Sequence, residues 1–176
     1  MNLESFEKML HGGAFGLTES TILVLSLLLG IGRATQNPHL TLFVGVTGVI
    51  ANSLAGSFGH LVEGLTEREE QRHRRTHDKI QTEVISFQEI LGNMISCLTM
   101  STVAAVLPVL PFYIFSIETA MMTAMAIAIG MSFSMGYLAG KLGEEKNPFL
   151  IGALYAIIVI VGSETSYFLV NLIDMT

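Results

Sequence analysis

Five long apolar runs constrain the fold of this chain more than any other feature. Each run approaches or exceeds the roughly 20 residues that a helix needs to cross about 30 Å of hydrocarbon. Only 14% of the residues are charged, whereas a soluble domain carries about a quarter. The sequence therefore predicts an all-α, polytopic membrane bundle of five transmembrane helices that forms a single domain over residues 1–176. The runs are Leu17–Ile31, Leu40–Val62, Ile90–Phe115, Thr119–Leu138 and Phe149–Ile173.

The positions of the basic residues predict how the bundle is oriented. Eight of the nine Lys and Arg residues fall in segments that share one side of the membrane, and only Arg33 falls on the other. Because basic residues are enriched in cytoplasmic loops, we expect the N-terminus inside and the C-terminus outside. Residues 1–15 mix acids and a Lys with apolar side chains and show no cleavable signal, which is typical of a helix lying on the membrane interface. The compact chain favours a prokaryotic cell membrane.

Several function classes lack the residues that they require. The single cysteine, Cys97, cannot form a disulfide framework, and no nucleophile constellation or phosphate-binding glycine motif is present. The formal net charge of -6 gives no indication of nucleic-acid binding. We therefore expect neither an enzyme nor a prosthetic group, and we expect the lipid bilayer rather than nucleic acid as the partner.

A stripe of polar residues leaves the second apolar run and enters a dense charged segment. If residues 51–78 form one helix, steps of three and four residues place these polar side chains on one face. Residues 64–88 are then a charged cytoplasmic helical hairpin between the second and third helices. The stripe indicates a route for cations, or alternatively a helix end whose interleaved Arg residues pair with the acids in solvent. Its members are Asn52, Gly56, His60, Glu63, Glu67 and Glu70, continued by His73 and His77.

Two further acids lie in or next to apolar runs. Glu19 follows three glycines at the start of the first run, and Glu164 lies well inside the last run between Ser163 and Thr165. A carboxylate at membrane depth is costly unless it is paired, protonated or bound to a cation. We interpret Glu19 as a metal ligand and Glu164 as a candidate for proton coupling. The alternatives are an acid in the first turn of a helix and an acid close to the outer surface.

Proline, glycine and methionine residues predict local features. Gln36–Asn37–Pro38 is expected to form a tight external turn, and Pro108 and Pro111 are expected to end or bend the third helix. Pro148 is expected to start the fifth helix. Small residues in the second run indicate close packing against another span or a second protomer. The ten Met residues are treated as flexible packing groups, although thioethers also bind some transition metals.

Three motifs resemble the vacuolar iron transporter family of Ccc-type membrane metal transporters. G-L-T-E-S in the first run resembles the family's G-x-N-D-G, with Glu19 at the position of the family's Asp. A-N-S-L-A-G-S-F-G-H-L-V-E is similar to the A-L-S-M-A-x-G-E-Y end of the family's second span, whose Glu corresponds to His60 or Glu63. P-V-L-P-F resembles the P-L-L-P-F turn that ends its third span. Together the motifs and the five-span topology cover nearly the whole chain.

The resemblance implies a homodimer that exports Fe²⁺, and often Mn²⁺, from the cytoplasm in exchange for protons. It implies that the first-span acid and residues of the second span line the pathway, and that the insert gathers metal. A passive cation channel and a non-transporting membrane scaffold are the alternatives. Carboxylate and imidazole ligands suit Fe²⁺, Mn²⁺ or Zn²⁺ better than Ca²⁺, which takes oxygen ligands alone. The candidate metal ligands are Glu19, Asn52, His60, Glu63, Glu67, Glu70, His73 and His77.

Overall fold

A computed structural model of the chain describes residues 3–77, 84–143 and 145–174, and over these ranges the fold is all-helical. Five helical segments are long and apolar enough to cross a membrane, and α4 joins α3 in forming one of them. The predicted all-α class and the five apolar helices are confirmed, and they are consistent with a multi-pass integral membrane protein. The helices are α1 (Leu3–Thr35), α2 (Pro38–His77), α3 (Phe87–Val109), α4 (Pro111–Ile114), α5 (Ile117–Leu142) and α6 (Pro148–Asp174).

Helix α2 is much longer than a membrane span. Its 40 residues correspond to about 60 Å, roughly twice the thickness of the hydrocarbon. Gly64 still packs against Ile90 near the start of α3, so the part of α2 beyond it projects past the bundle. We call residues 65–77 the α2 extension.

The segment 64–88 is predicted to be a charged helical hairpin, and of this segment the structure describes residues 64–77, which belong to α2, and residues 84–88. Residues 84–86 are not helical, and the Ile85 N–H donates a hydrogen bond of 2.8 Å to Oε1 of Gln71 on the α2 extension. Ser86 then begins α3 with a capping box, in which its hydroxyl accepts from the Glu89 N–H while the Glu89 carboxylate accepts from the Ser86 N–H. Residues 78–83 lie outside the described ranges.

The N-terminal segment is not a separate helix in the described part of the chain. Residues 3–15, predicted to form an interfacial helix, continue without a break into the first span as part of the 33-residue α1. Glycines at positions 12, 13 and 16 do not interrupt it. Glycine in a helix interior costs about 1 kcal/mol relative to alanine. The helix tolerates this cost because its backbone hydrogen bonds continue through the glycine positions.

The turns follow the proline and asparagine positions. Gln36 adopts a positive φ of 50°, and the Asn37 Oδ1 accepts hydrogen bonds from the N–H groups of His39 and Leu40 at 3.0 and 3.1 Å. Pro38 is the first residue of α2, where its missing N–H costs nothing. The predicted tight turn is thus confirmed. Pro111 and Pro148 likewise open α4 and α6, while Pro108 lies inside α3 close to its end.

Helix α1 lies at the centre of the bundle and contacts α2, α3, α5 and α6. Val24, Leu25 and Leu28 in its middle are fully buried and form the core cluster with side chains of the surrounding helices. Gly16 contacts Cys97 early in both helices, and Leu28 and Val109 meet at Gly45 late in both helices, so α1 runs parallel to α3. Leu28 lies beside Gly45 and Glu19 beside Gly56, so α1 runs antiparallel to α2. The helices therefore alternate in direction, as successive spans of a membrane protein do.

Glycines bring the helices into close contact. A Cβ atom on Gly16 of α1 would lie 2.8 Å from the Cys97 sulfur on α3. On α5, a Cβ atom on Gly136 would lie 2.8 Å from the ring of Tyr155 and 2.9 Å from the Ile151 carbonyl oxygen. Such small-residue contacts are typical of membrane helices, where close van der Waals packing drives association.

This packing predicts different effects for two glycines on α5. Gly136→Ala should lower the free energy of unfolding by about 1–3 kcal/mol, because the new methyl group meets backbone and ring atoms that cannot both move. Gly130→Ala is the matched control, since nothing lies within 4 Å of its Cβ position, and it should be neutral or stabilising by up to about 1 kcal/mol. Unfolding in detergent followed by circular dichroism measures both. Equal stability of the two variants would contradict the described α5–α6 contact.

Candidate metal site

An open cavity of about 360 Å³ lies between α1 and α2. It contains three of the predicted metal ligands, and its other walls are small residues that leave room beside them. The cavity residues of α2 come just before Gly64. The cavity therefore lies at the end of the bundle from which the α2 extension projects. The lining residues are Glu19, Ala55, Gly56, Gly59, His60 and Glu63.

Glu19 projects from α1 against the backbone of α2. Its Oε2 atom would lie only 3.3 Å from a Cβ atom built on Gly56, so the carboxylate approaches the helix at a position without a side chain. The side chain is half-buried. Glu19 therefore presents a carboxylate to the cavity from the inner wall.

His60 and Glu63 lie one turn apart on α2 and contact each other. The His60 Nδ1 atom is 3.4 Å from Glu63 Oε2, a contact that becomes an ion pair when the imidazole is protonated. His60 is only 18% exposed, whereas Glu63 is 75% exposed and lies at the mouth of the cavity. Together with Glu19, these residues surround the space with two carboxylates and one imidazole.

Asn52 lies deeper and is used in helix packing. It is buried, and its Nδ2 donates a hydrogen bond of 2.5 Å to the Ser20 hydroxyl on α1. It does not line the cavity. The Asn52 amide, predicted to supply an oxygen ligand to the metal, thus links α1 to α2. It does so one turn before Gly56, where the Glu19 carboxylate approaches α2.

The predicted ligands on the α2 extension are spread along its exposed surface. Glu70 pairs with Arg74 at 2.5 Å, and Glu67 accepts a hydrogen bond of 3.1 Å from Gln71. His73 is also exposed. Glu70 and Glu67 therefore interact with their own helix, and exposed pairs of this kind contribute about 0–1 kcal/mol each. The side chain of His77, the last residue of α2, lies outside the described residues.

Glu164 is separate from the cavity. Gly162, two residues before it, packs against Ile22 of α1. Ser163 is buried, and its hydroxyl lies near the Met125 sulfur. Glu164 itself is exposed on the outside of the bundle. The structure thus turns the proton-coupling candidate away from the bundle interior, at the level of the middle of α1.

The candidate ligands do not form a closed metal site. Among residues 3–77, 84–143 and 145–174, no three His, Cys, Asp or Glu side chains come together as a group that could hold a metal ion. Glu19, His60 and Glu63 instead face an open space from two helices. An arrangement of this kind attracts cations electrostatically and leaves room for water ligands.

Two residues beside the cavity were missed as functional candidates. Gly56 had been placed on the polar face of α2 and among its small packing residues without a role at the site, and Cys97 had been interpreted only as a cysteine without a disulfide partner. The Cys97 sulfur is fully buried behind Gly56, 3.9 Å from the Cβ position of that glycine. The spacing of small residues on α2 indicated close contact, but it could not indicate that one glycine meets a carboxylate.

The Asn52 contact generates a test that separates packing from metal binding. Asn52→Ala should lower the free energy of unfolding by about 0.5–1.5 kcal/mol, because it removes an interhelical hydrogen bond. Ser20→Ala should have a similar effect, and the double variant should cost less than the sum of the two because they share one bond. Denaturation of all three in detergent gives the coupling. A loss of metal affinity in Asn52→Ala at unchanged stability would instead identify a ligand.

Comparison with known proteins gives a distant relative. No protein-family model matches the chain. The chain is similar to the uncharacterized protein MJ0645 of Methanocaldococcus jannaschii, with 26% identity over 140 residues that cover 74% of this chain and 73% of that protein. The match spans most of both chains, and the name of the relative states no activity.

Proposed function

We propose that the protein is a membrane transporter that exports a divalent transition metal, Fe²⁺ or Mn²⁺, from the cytoplasm in exchange for protons. One observation carries the proposal, namely the open cavity into which Glu19, His60 and Glu63 project from two apolar helices. Ionisable groups in such surroundings are costly unless they are paired, protonated or bound to a cation. A divalent cation offsets the negative charge, and carboxylate and imidazole are ligands that Fe²⁺ and Mn²⁺ accept.

The distribution of basic residues supports an opening of the cavity toward the cytoplasm. The alternating helix directions bring the α2–α3 and α5–α6 connections to one end of the bundle, with Arg33 at the other. Basic residues favour the cytoplasmic side. Glu63 lies toward the basic end, so a cytoplasmic cation meets this exposed carboxylate first and Glu19 after it. The basic residues of that end include Arg68, Arg72, Arg74, Arg75, Lys141 and Lys146.

The motif resemblance supports the same function. Glu19, at the position of the first-span acid of the vacuolar iron transporters, lines the cavity, and so do both residues that correspond to the family's second-span Glu. We extend the proposal to membership of this family, with a homodimer in a prokaryotic cell membrane. The acids of the α2 extension interact with neighbouring Arg and Gln side chains, which favours the cavity rather than the extension as the place of metal capture.

Proton coupling follows from the chemistry of the ligands. Carboxylates and imidazoles bind metal in their deprotonated forms, so metal binding releases protons and metal release takes them up. Glu19, His60 and Glu63 supply this exchange within the cavity. Glu164, on the outside of α6, remains a second proton-carrying candidate, and internal pH recorded with Glu164→Gln tests it.

A passive cation channel is the alternative, and one observation favours it. The cavity donors surround an open space, and within the described ranges they do not form a group of three that holds a metal. Conduction requires binding weak enough for the ion to leave. The two functions differ in whether a pH gradient alone drives metal against its own gradient.

The test is uptake of Fe²⁺ and Mn²⁺ into proteoliposomes, with and without an imposed pH gradient, while internal pH is recorded. We expect metal-dependent proton flux, and we expect Glu19→Gln to reduce metal flux by about 10-fold or more, because it removes a charged ligand. Glu118→Gln is the matched control, since Glu118 is an exposed acid in the first turn of α5, away from the cavity. It should transport as the unmodified protein does.

The outcomes separate the candidate functions. Metal flux without proton movement identifies the channel. Absence of both fluxes, together with absence of Fe²⁺ and Mn²⁺ binding, favours a membrane scaffold or a different cargo. Full transport by Glu19→Gln would contradict the assignment of Glu19 as a ligand.

A further inference from the structure

The backbone of α2 passes close to the Glu19 carboxylate at Gly56. A Cβ atom there would lie 3.3 Å from Glu19 Oε2, closer than most carbon contacts in proteins. Because glycine has no side chain, the space beside this oxygen stays open toward the cavity. An ion bound to Oε2 therefore has room on the α2 side for further ligands.

The side of Gly56 that faces away from the cavity is closed. The Cys97 sulfur lies 3.9 Å from the same Cβ position, and Cys97 is fully buried. It cannot retreat, because Gly16 of α1 already packs against its sulfur and its carbonyl oxygen. A methyl group on residue 56 would therefore lie directly against Glu19 Oε2 and fill the space beside it.

Gly59 lines the same cavity but does not restrict it. It lies almost one turn further along α2, and nothing is within 4 Å of its Cβ position. A methyl group there changes the helix propensity as it does at Gly56, without touching Glu19. The two glycines thus form a matched pair that differs in proximity to the carboxylate.

We propose that Gly56 determines the cation specificity of the cavity by keeping space for a full octahedral set of ligands around a cation bound to Glu19. This inference rests on the transport function proposed above. Mn²⁺ prefers six oxygen ligands and keeps water among them, whereas Zn²⁺ is satisfied by four ligands in a tetrahedron. The open space beside Glu19 Oε2 therefore suits a partly hydrated, six-coordinate cation. Gly56 is a specificity-determining position, because the space beside it admits the further ligands that complete the coordination shell.

The experiment compares the binding of Mn²⁺ and of Zn²⁺ by isothermal titration calorimetry to the purified full-length protein in detergent. Gly56→Ala should weaken Mn²⁺ binding about 10-fold and Zn²⁺ binding by no more than about 2-fold, because only the six-coordinate ion loses a coordination position. Gly59→Ala should leave both affinities within about 2-fold of the unmodified protein. The thermal midpoint of each variant shows that the fold is retained, and alanine is the better helix former at both positions.

The ratio of the two affinities decides the inference. A general distortion of the site would weaken the binding of Mn²⁺ and of Zn²⁺ equally and leave the ratio of the two affinities unchanged. An unchanged ratio in Gly56→Ala therefore overturns the specificity role of Gly56 but not the proposed function. Glu19→Gln distinguishes this failure from failure of the proposed function. If the unmodified protein does not bind Mn²⁺, or if Glu19→Gln does not abolish the binding, the proposed function fails and the inference fails with it.

Discussion

Close contact between helices at positions without a side chain is the constraint on which the rest of this structure depends. In hydrocarbon, helices gain nothing from the removal of apolar surface from water, so their association relies on short-range van der Waals contact. Gly16 brings α1 against Cys97 of α3, and Gly136 brings α5 against Tyr155 of α6. These contacts let the surrounding helices approach one another and α1 closely. As a result, α1 lies in the middle of the bundle, and its residues Val24, Leu25 and Leu28 are fully buried.

The candidate site lies where the close contact between α1 and α2 ends. Asn52 and Ser20 join α2 to α1 by a buried hydrogen bond, and Gly56 meets the Glu19 carboxylate one turn further along α2. At Gly59 nothing lies within 4 Å of the Cβ position, so the wall of the cavity is open there. Glu19 is therefore held at a boundary between tightly packed protein and open space. A carboxylate at such a boundary has one face supported by the protein and one face available to a ligand.

The sequence predicted the features that depend on local chain properties and missed those that depend on helix rotation. Apolar length predicted the five spans, and Pro38 and Pro148 marked helix starts because a first-turn proline has no N–H to lose. The continuity of α2 through residues 51–77 was also predicted from its pattern. In contrast, Asn52 turns toward Ser20 and Glu164 turns outward, and these orientations depend on which neighbouring helix each face meets. A periodic pattern defines a face but does not identify its neighbour.

The distribution of ion pairs supports the proposal that cations bind in the cavity rather than on the α2 extension. On the extension, Glu69 and Glu70 are paired with Arg72 and Arg74 of the same helix, so their charges are locally compensated and the surrounding water screens the rest. In the cavity, the described contact of Glu63 is with His60, which is charged only when protonated. The charge of Glu63 is thus not offset by an Arg or Lys in its described contacts, and water screens the half-buried Glu19 less than the exposed acids of the extension. This difference in compensation follows from residue spacing: Arg72 and Arg74 follow Glu69 and Glu70 by three and four positions on the extension, whereas Thr66 and Glu67 occupy those positions after Glu63.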